Sequence, residues 1–183
     1  DATDDAADDT TDDTAGDTTD DTTNNTGDDT AGEMPDTTAG ISNVTFAVSL
    51  EDAVETFLDT FGVDVNIDEV DFDEDRNTYT YEISGWDAET EYEMKIDANT
   101  GDIIQQESDA EPNNDETDVI DFDAIISPQE AMDIAEGEYD TGVIIEGWKI
   151  EVDDGRTIYE IDSDGVLDDD LEIDAETGDI VGR

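Results

Sequence analysis

Ile96-Asp97-Ala98-Asn99-Thr100-Gly101-Asp102-Ile103-Ile104 returns near the end of the chain as Ile173-Asp174-Ala175-Glu176-Thr177-Gly178-Asp179-Ile180-Val181. The displacement is 77 residues (96 to 173), and Ser49-Leu50-Glu51-Asp52-Ala53 returns 78 residues on (49 to 127) as Ser127-Pro128-Gln129-Glu130-Ala131. Self-similarity at a fixed period is the mark of a duplicated structural unit. Two copies of one small unit therefore fill residues 49–183, the first over 49–106 and the second over 126–183.

Each copy opens with a helix signal. Ser49 is a good N-cap with Asp52 three residues on, and Leu50, Ala53, Val54, Phe57, Leu58 and Phe61 recur on one helical face before Gly62 stops it. In the second copy Ser127-Pro128-Gln129-Glu130 supplies an N-cap, a proline at the first helical position and a glutamate that reaches back, while Ala131, Ile134 and Ala135 form a smaller apolar face. Strand-like alternation follows: Val63, Val65 and Ile67; Val70 and Phe72; Tyr79, Tyr81 and Ile83; Tyr92, Met94 and Ile96. A tight turn at 98–101 leads into a short last strand at 102–106. Trp148, Ile150 and Val152 alternate before Asp153-Asp154-Gly155-Arg156, a hairpin signal, and Tyr159 and Ile161 lie on the returning strand. Leu171 and Ile173 match Met94 and Ile96. The expected class is α+β, two tandem repeats that each pack one helix on an antiparallel meander. Residues 107–125, with eight acids, Pro112, Asn113 and Asn114, read as an acidic linker between units that pack weakly on each other.

Ahead of the repeats, residues 1–36 consist almost wholly of Asp, Thr, Ala, Gly and Asn, with 14 acids and no base. Such a segment cannot bury enough apolar area to offset the entropy of ordering it, and reads as a disordered, extended stalk. Asn24 and Asn43 stand in N-glycan acceptor patterns. Residues 37–50 carry no charge, and Val44, Phe46 and Val48 alternate with Asn43, Thr45 and Ala47 as a half-buried strand does. This lead-in, 37–48, either packs on its own first repeat or adds to the sheet edge of a neighbouring molecule and drives assembly.

The whole chain holds 59 acids and five bases, a formal charge of −54, and residues 41–183 alone retain 45 acids against all five bases. Self-repulsion on that scale needs screening ions or bound cations, which suits an extracellular face exposed to salt, high pH or divalent cations. Nucleic-acid binding requires clustered cations that this chain lacks, and anionic membranes are disfavoured for the same reason. No run of about 18 apolar residues is present to span a bilayer. The chain opens on Asp1 in a low-complexity run, as a mature chain does after removal of a leader. Cysteine and histidine are both absent, which removes thiolate and Ser-His-Asp catalysis, zinc–thiolate sites and imidazole ligation.

The helix that opens Ser-x-x-[Glu/Asp]-Ala, the strand carrying Tyr81-Glu82-Ile83 and Tyr159-Glu160-Ile161, and the closing Ile-Asp-Ala-x-Thr-Gly-Asp-Ile phrase resemble the PepSY domain, here in tandem over about 135 of 183 residues. The resemblance implies a helix packed on a curved antiparallel sheet, an extracytoplasmic location, no catalytic residues, and a protein partner such as a peptidase that the module restrains. It is similar to lipid-anchored members that begin at a cysteine. Asp1 stands without one, so the anchor lies just upstream or the protein is freely secreted or wall-associated.

Two acidic clusters invite a calcium reading. Asp162-Ser163-Asp164-Gly165-Val166-Leu167-Asp168-Asp169-Asp170 bends at a glycine but lacks a complete calcium loop, and Asp71, Asp73 and Asp75 have no glycine to shape them. Diffuse cation binding is the expectation for both, with no cofactor and no assigned metal ligand. Trp86, Tyr79, Tyr81, Tyr92, Trp148 and Tyr159 are candidates for a peptide or glycan groove; strand alternation assigns all but Trp86 and Trp148 to the core. The functional expectation is a non-catalytic extracellular interaction module that modulates a peptidase at the cell surface. The alternative is a structural surface or filament component that self-assembles through residues 37–50.

Overall fold

The computed structural model describes residues 35–110, 118–139, 143–164 and 170–183. In chain order they form α1 (Leu50–Phe61), β1 (Asn66–Asp75), β2 (Thr78–Trp86), β3 (Glu91–Asp97), β4 (Ile103–Asp109), α2 (Pro128–Glu138), β5 (Ile144–Asp153), β6 (Arg156–Asp164), β7 (Leu171–Asp174) and β8 (Ile180–Gly182). The stalk expected over 1–36 lies outside the described residues except for Pro35 and Asp36.

Both helices start where the capping residues direct. Asp52 N donates to Ser49 Oγ at 3.2 Å and Ser49 N donates back to Asp52 Oδ2 at 3.2 Å, a reciprocal capping box. The second box joins Ser127 and Glu130 in the same way. The duplicated phrase is a turn. In the first copy Asp97 Oδ1 accepts from Asn99 N and Thr100 N, and Gly101 follows at φ +75°. In the second, Asp174 Oδ1 accepts from Glu176 N and Thr177 N, with Gly178 also at φ +75°. The alanines between, Ala98 and Ala175, are fully buried. Tyr81 OH donates to Val48 O at 2.9 Å and Tyr159 OH to Ile126 O at 2.8 Å, so the Tyr-Glu-Ile strand in each copy ties down the chain entering the helix.

The expectation of two weakly packed units is corrected. All eight strands make one antiparallel sheet in the order β4-β3-β2-β1-β5-β6-β7-β8, and one core cluster runs from Ala53 and Phe57 of α1 through Phe72 and Trp148 to Ala131 and Ala135 of α2. The seam is the β1–β5 pairing, Glu69↔Glu151, Val70↔Ile150, Asp71↔Lys149 and Phe72↔Trp148. Asp71 and Lys149 are 78 residues apart, the displacement of the repeat. The seam therefore pairs one position with its own counterpart, and a pseudo-twofold axis passes between them. Phe72 and Trp148 stack across it with ring centroids 5.2 Å apart and planes at 12°.

The lead-in also departs from expectation. Residues 37–48 form no strand, because their backbone groups bond singly to different elements. Ile41 N donates to Ile145 O in β5, and Val48 N donates to Ala98 O. Ile41 is buried, Phe46 lies 5.0 Å from Phe72 and 5.1 Å from Tyr79, and Gln129 Nε2 donates to Ser42 O. The segment is a strap across both repeats, and the apolar groups that would drive assembly are engaged within the chain. Gly40 holds φ +88° where a Cβ would sit 2.9 Å from Ile145 O, so only glycine lets the strap approach β5. In β1 the broken alternation of Ile67 and Val70 is one strand with a register shift between Ile67 and Glu69, while Val63 lies outside it, exposed. The expected last strand runs on to Asp109, into the expected linker. The far end of that linker folds back, with Ile120 buried and its N–H donated to Ile67 O.

A shared core predicts one cooperative unfolding transition by calorimetry. Phe72→Ala is expected to lower stability by about 3–5 kcal/mol within that single transition. Two separately shifted transitions would show that the repeats melt independently.

Candidate functional site

The two helices lie on one face of the sheet, and their N-terminal ends flank a groove of about 660 Å³. Leu50 and Val54 of α1 form one wall and Pro128 and Met132 of α2 the other; Phe72, Tyr81 and Trp148 lie along the sheet side. The strap, through Ile41 and Phe46, and the returning linker, through Phe122 and Ile125, complete the lining. Charge is confined to Glu51 and Asp123. In a chain with 59 acids, so apolar a recess stands apart from the carboxylate-rich surface around it. Recesses lined mainly by apolar side chains with a few polar groups at the edge are the usual form of a binding site.

Tyr79, Tyr81 and Tyr159 are core residues, each 5% exposed or less. Trp148, a groove candidate from the sequence, lies along the groove but is only 5% exposed, because the seam stacks it on Phe72. Trp86 is half-buried, its Nε1 donating to Asp118 O at 3.2 Å. Tyr92 packs on Phe61 with centroids 4.7 Å apart and donates its hydroxyl to Asp87 Oδ2. Met132, absent from the sequence-based apolar face, is buried between α2 and the groove.

The opposite face of the sheet carries the acids. Asp71, Asp73 and Asp75 alternate along β1. Lys95 Nζ contacts Asp75 at 3.3 Å and Glu82 at 2.8 Å, and Lys149 Nζ contacts Glu69 at 3.1 Å and also Glu151. Asp71 lies opposite Lys149, yet burial, then the charges of Asp73, Glu69 and Glu82, push its carboxyl up to about 6. Burial also raises Asp73, Glu160 and Asp162. Of the acidic segment 162–170, for which diffuse cation binding is the expectation, residues 165–169 lie outside the described residues. Among the described residues no group of three or more acids is placed to hold a metal ion.

The profile of the family described as "Peptidase propeptide and YPEB domain" matches this chain twice, over residues 47–107 and 125–183. The chain belongs to the PepSY family, with two domains in tandem. Among solved structures it is similar to the crystal structure of a "putative lipoprotein" from Clostridium difficile 630, with 29% identity and a TM-score of 0.71, covering 79% of this chain and 97% of that one. No curated protein matches the chain. No helix among the described residues is long and apolar enough to cross a membrane.

The sign of the Asp71 effect follows from its shift. Its folded value, about 6, exceeds the ordinary 3.8, so the native state holds its proton to higher pH than the unfolded chain does. This group therefore lowers stability progressively as pH rises from about 4 to about 6, with no further change above that. Asp71→Asn is expected to raise the melting temperature at pH 7 and to flatten the slope over that window, as followed by thermal melts at fixed ionic strength.

Proposed function

We propose that this protein is a non-catalytic interaction module that acts outside the cytoplasm, at the cell surface, and restrains a peptidase by seating an apolar segment of it in the groove between the two helix starts. The observation that carries the reading is the groove itself, an apolar recess with aromatic rings along the sheet side in a molecule otherwise covered by carboxylates. Membership of a family described by peptidase propeptides supports the peptidase as partner, and the "putative lipoprotein" neighbour supports the cell-surface location. Self-assembly through 37–50 is not favoured, since Ile41, Phe46 and Val48 are already engaged by β5, Phe72 and Ala98.

The test is hydrolysis of casein by a secreted metallopeptidase with and without the full chain. Wild type is expected to slow the reaction, and Leu50→Asp to relieve the slowing by about tenfold or more in inhibitory concentration. An acid suits the first turn of a helix, so this variant charges the groove wall without removing α1. Equal inhibition by both proteins, or none by wild type, would overturn the reading.

A further inference from the structure

The sheet has a long open edge. β4 spans seven residues, all with exposed side chains, and among the described residues only β3 pairs with it. The other edge strand, β8, spans Ile180–Gly182. On β4, Ile103 and Ile104 are 41% and 52% exposed, and Ile103–Gln106 carry no charge. An edge of this kind presents a row of backbone donors and acceptors to any extended chain, and the β1–β5 seam joins the two repeats by such pairing over only four registered positions.

The side chains beside that edge specify the visitor. Glu93 of β3 lies directly opposite Glu107 of β4, and Glu91 directly opposite Asp109. Residues paired in this way share a face of the sheet, and like charges so placed destabilise the pair. The four carboxylates form a patch two residues by two, and with Trp86 and Asp68 they line a cavity of about 250 Å³. Lys95, on the same strand as Glu93, is held by Asp75 and Glu82 further along. Glu93 is raised, first by its hydrogen bond with Glu82, then by burial and by the charges of Glu82 and Glu107, against a lowering by Lys95.

We propose that β4 is a docking strand for an extended basic segment of another protein, which adds to the sheet as a further strand and sets a Lys or Arg side chain over Glu91, Glu93, Glu107 and Asp109. Main-chain bonds to the edge supply affinity and the acidic cavity supplies selection. A second copy of this chain is a poor occupant, because it brings a charge of −54 and the same carboxylates. The site is separate from the groove and does not depend on the groove's role.

The probe is a labelled peptide as long as β4, alternating Lys with Val and Thr, titrated by fluorescence anisotropy into the full chain. Glu93→Gln/Glu107→Gln is expected to weaken it about tenfold, the sum of two modest ion pairs. Glu55→Gln/Glu136→Gln, the same charge change on the exposed faces of the helices, and Leu50→Asp in the groove are expected to leave it unchanged. Hydrogen exchange of the β4 amides is expected to slow when peptide binds. An equal loss in the helix-face variant, loss in Leu50→Asp, unaltered β4 exchange, equal binding of a Glu-for-Lys peptide, or a dimer paired through β4 would each overturn the proposal.

Discussion

The pairing of β1 with β5 is the constraint on which the rest depends. Four registered positions, Glu69–Phe72 against Trp148–Glu151, turn two half-sheets into one. Val70 and Ile150 are fully buried there, and the Phe72–Trp148 stack closes the core between the helices. Separation at this line would expose two unpaired edges and split the groove, since Phe72 and Tyr81 would leave with one repeat and Trp148 with the other. The strap reinforces the join by bonding to Ile145 on one side and Ala98 on the other.

The sheet divides the chemistry of the molecule by face. Toward the helices lie the apolar side chains and Tyr81 and Tyr159, whose hydroxyls titrate above their ordinary value because they are buried. Away from the helices lie carboxylates, several held above their usual range, with Lys95 and Lys149 among them. Burial of a charged group disfavours its ionised form, so the acidic face trades some stability for a dense negative surface. A partner's apolar residues and a partner's cations would therefore find their complements on opposite sides of one sheet.

Local features were legible in the sequence because their causes are local. The two capping boxes, the Asp154-Gly155 hairpin with φ of +47° and +76°, and the aspartate-and-glycine turns need only neighbours within a few residues. The matching turn at Arg76-Asn77 was not legible. It adopts φ of +53° and +70° without a glycine, and the paired ends of β1 and β2 hold it there. The seam left no signal because a buried edge strand and a free one share the same alternation. The strap's attachment to both repeats is hidden for that reason, since Ile145 and Gln129, which it meets, belong to the second repeat. Leu50, Val54, Phe46, Phe72 and Trp148 of the groove lining are apolar or aromatic candidates in the sequence, but Ile41, Phe122, Ile125 and Met132 are not, and that two helix starts would meet around it depended on the seam.

The pseudo-twofold axis through Asp71 and Lys149 has an evolutionary corollary. Two identical subunits joined about such an axis must set the same residue against itself, acid facing acid or base facing base. Fusion into one polypeptide lifts that restriction. Each copy can then mutate alone, which is how an aspartate comes to face a lysine at the centre.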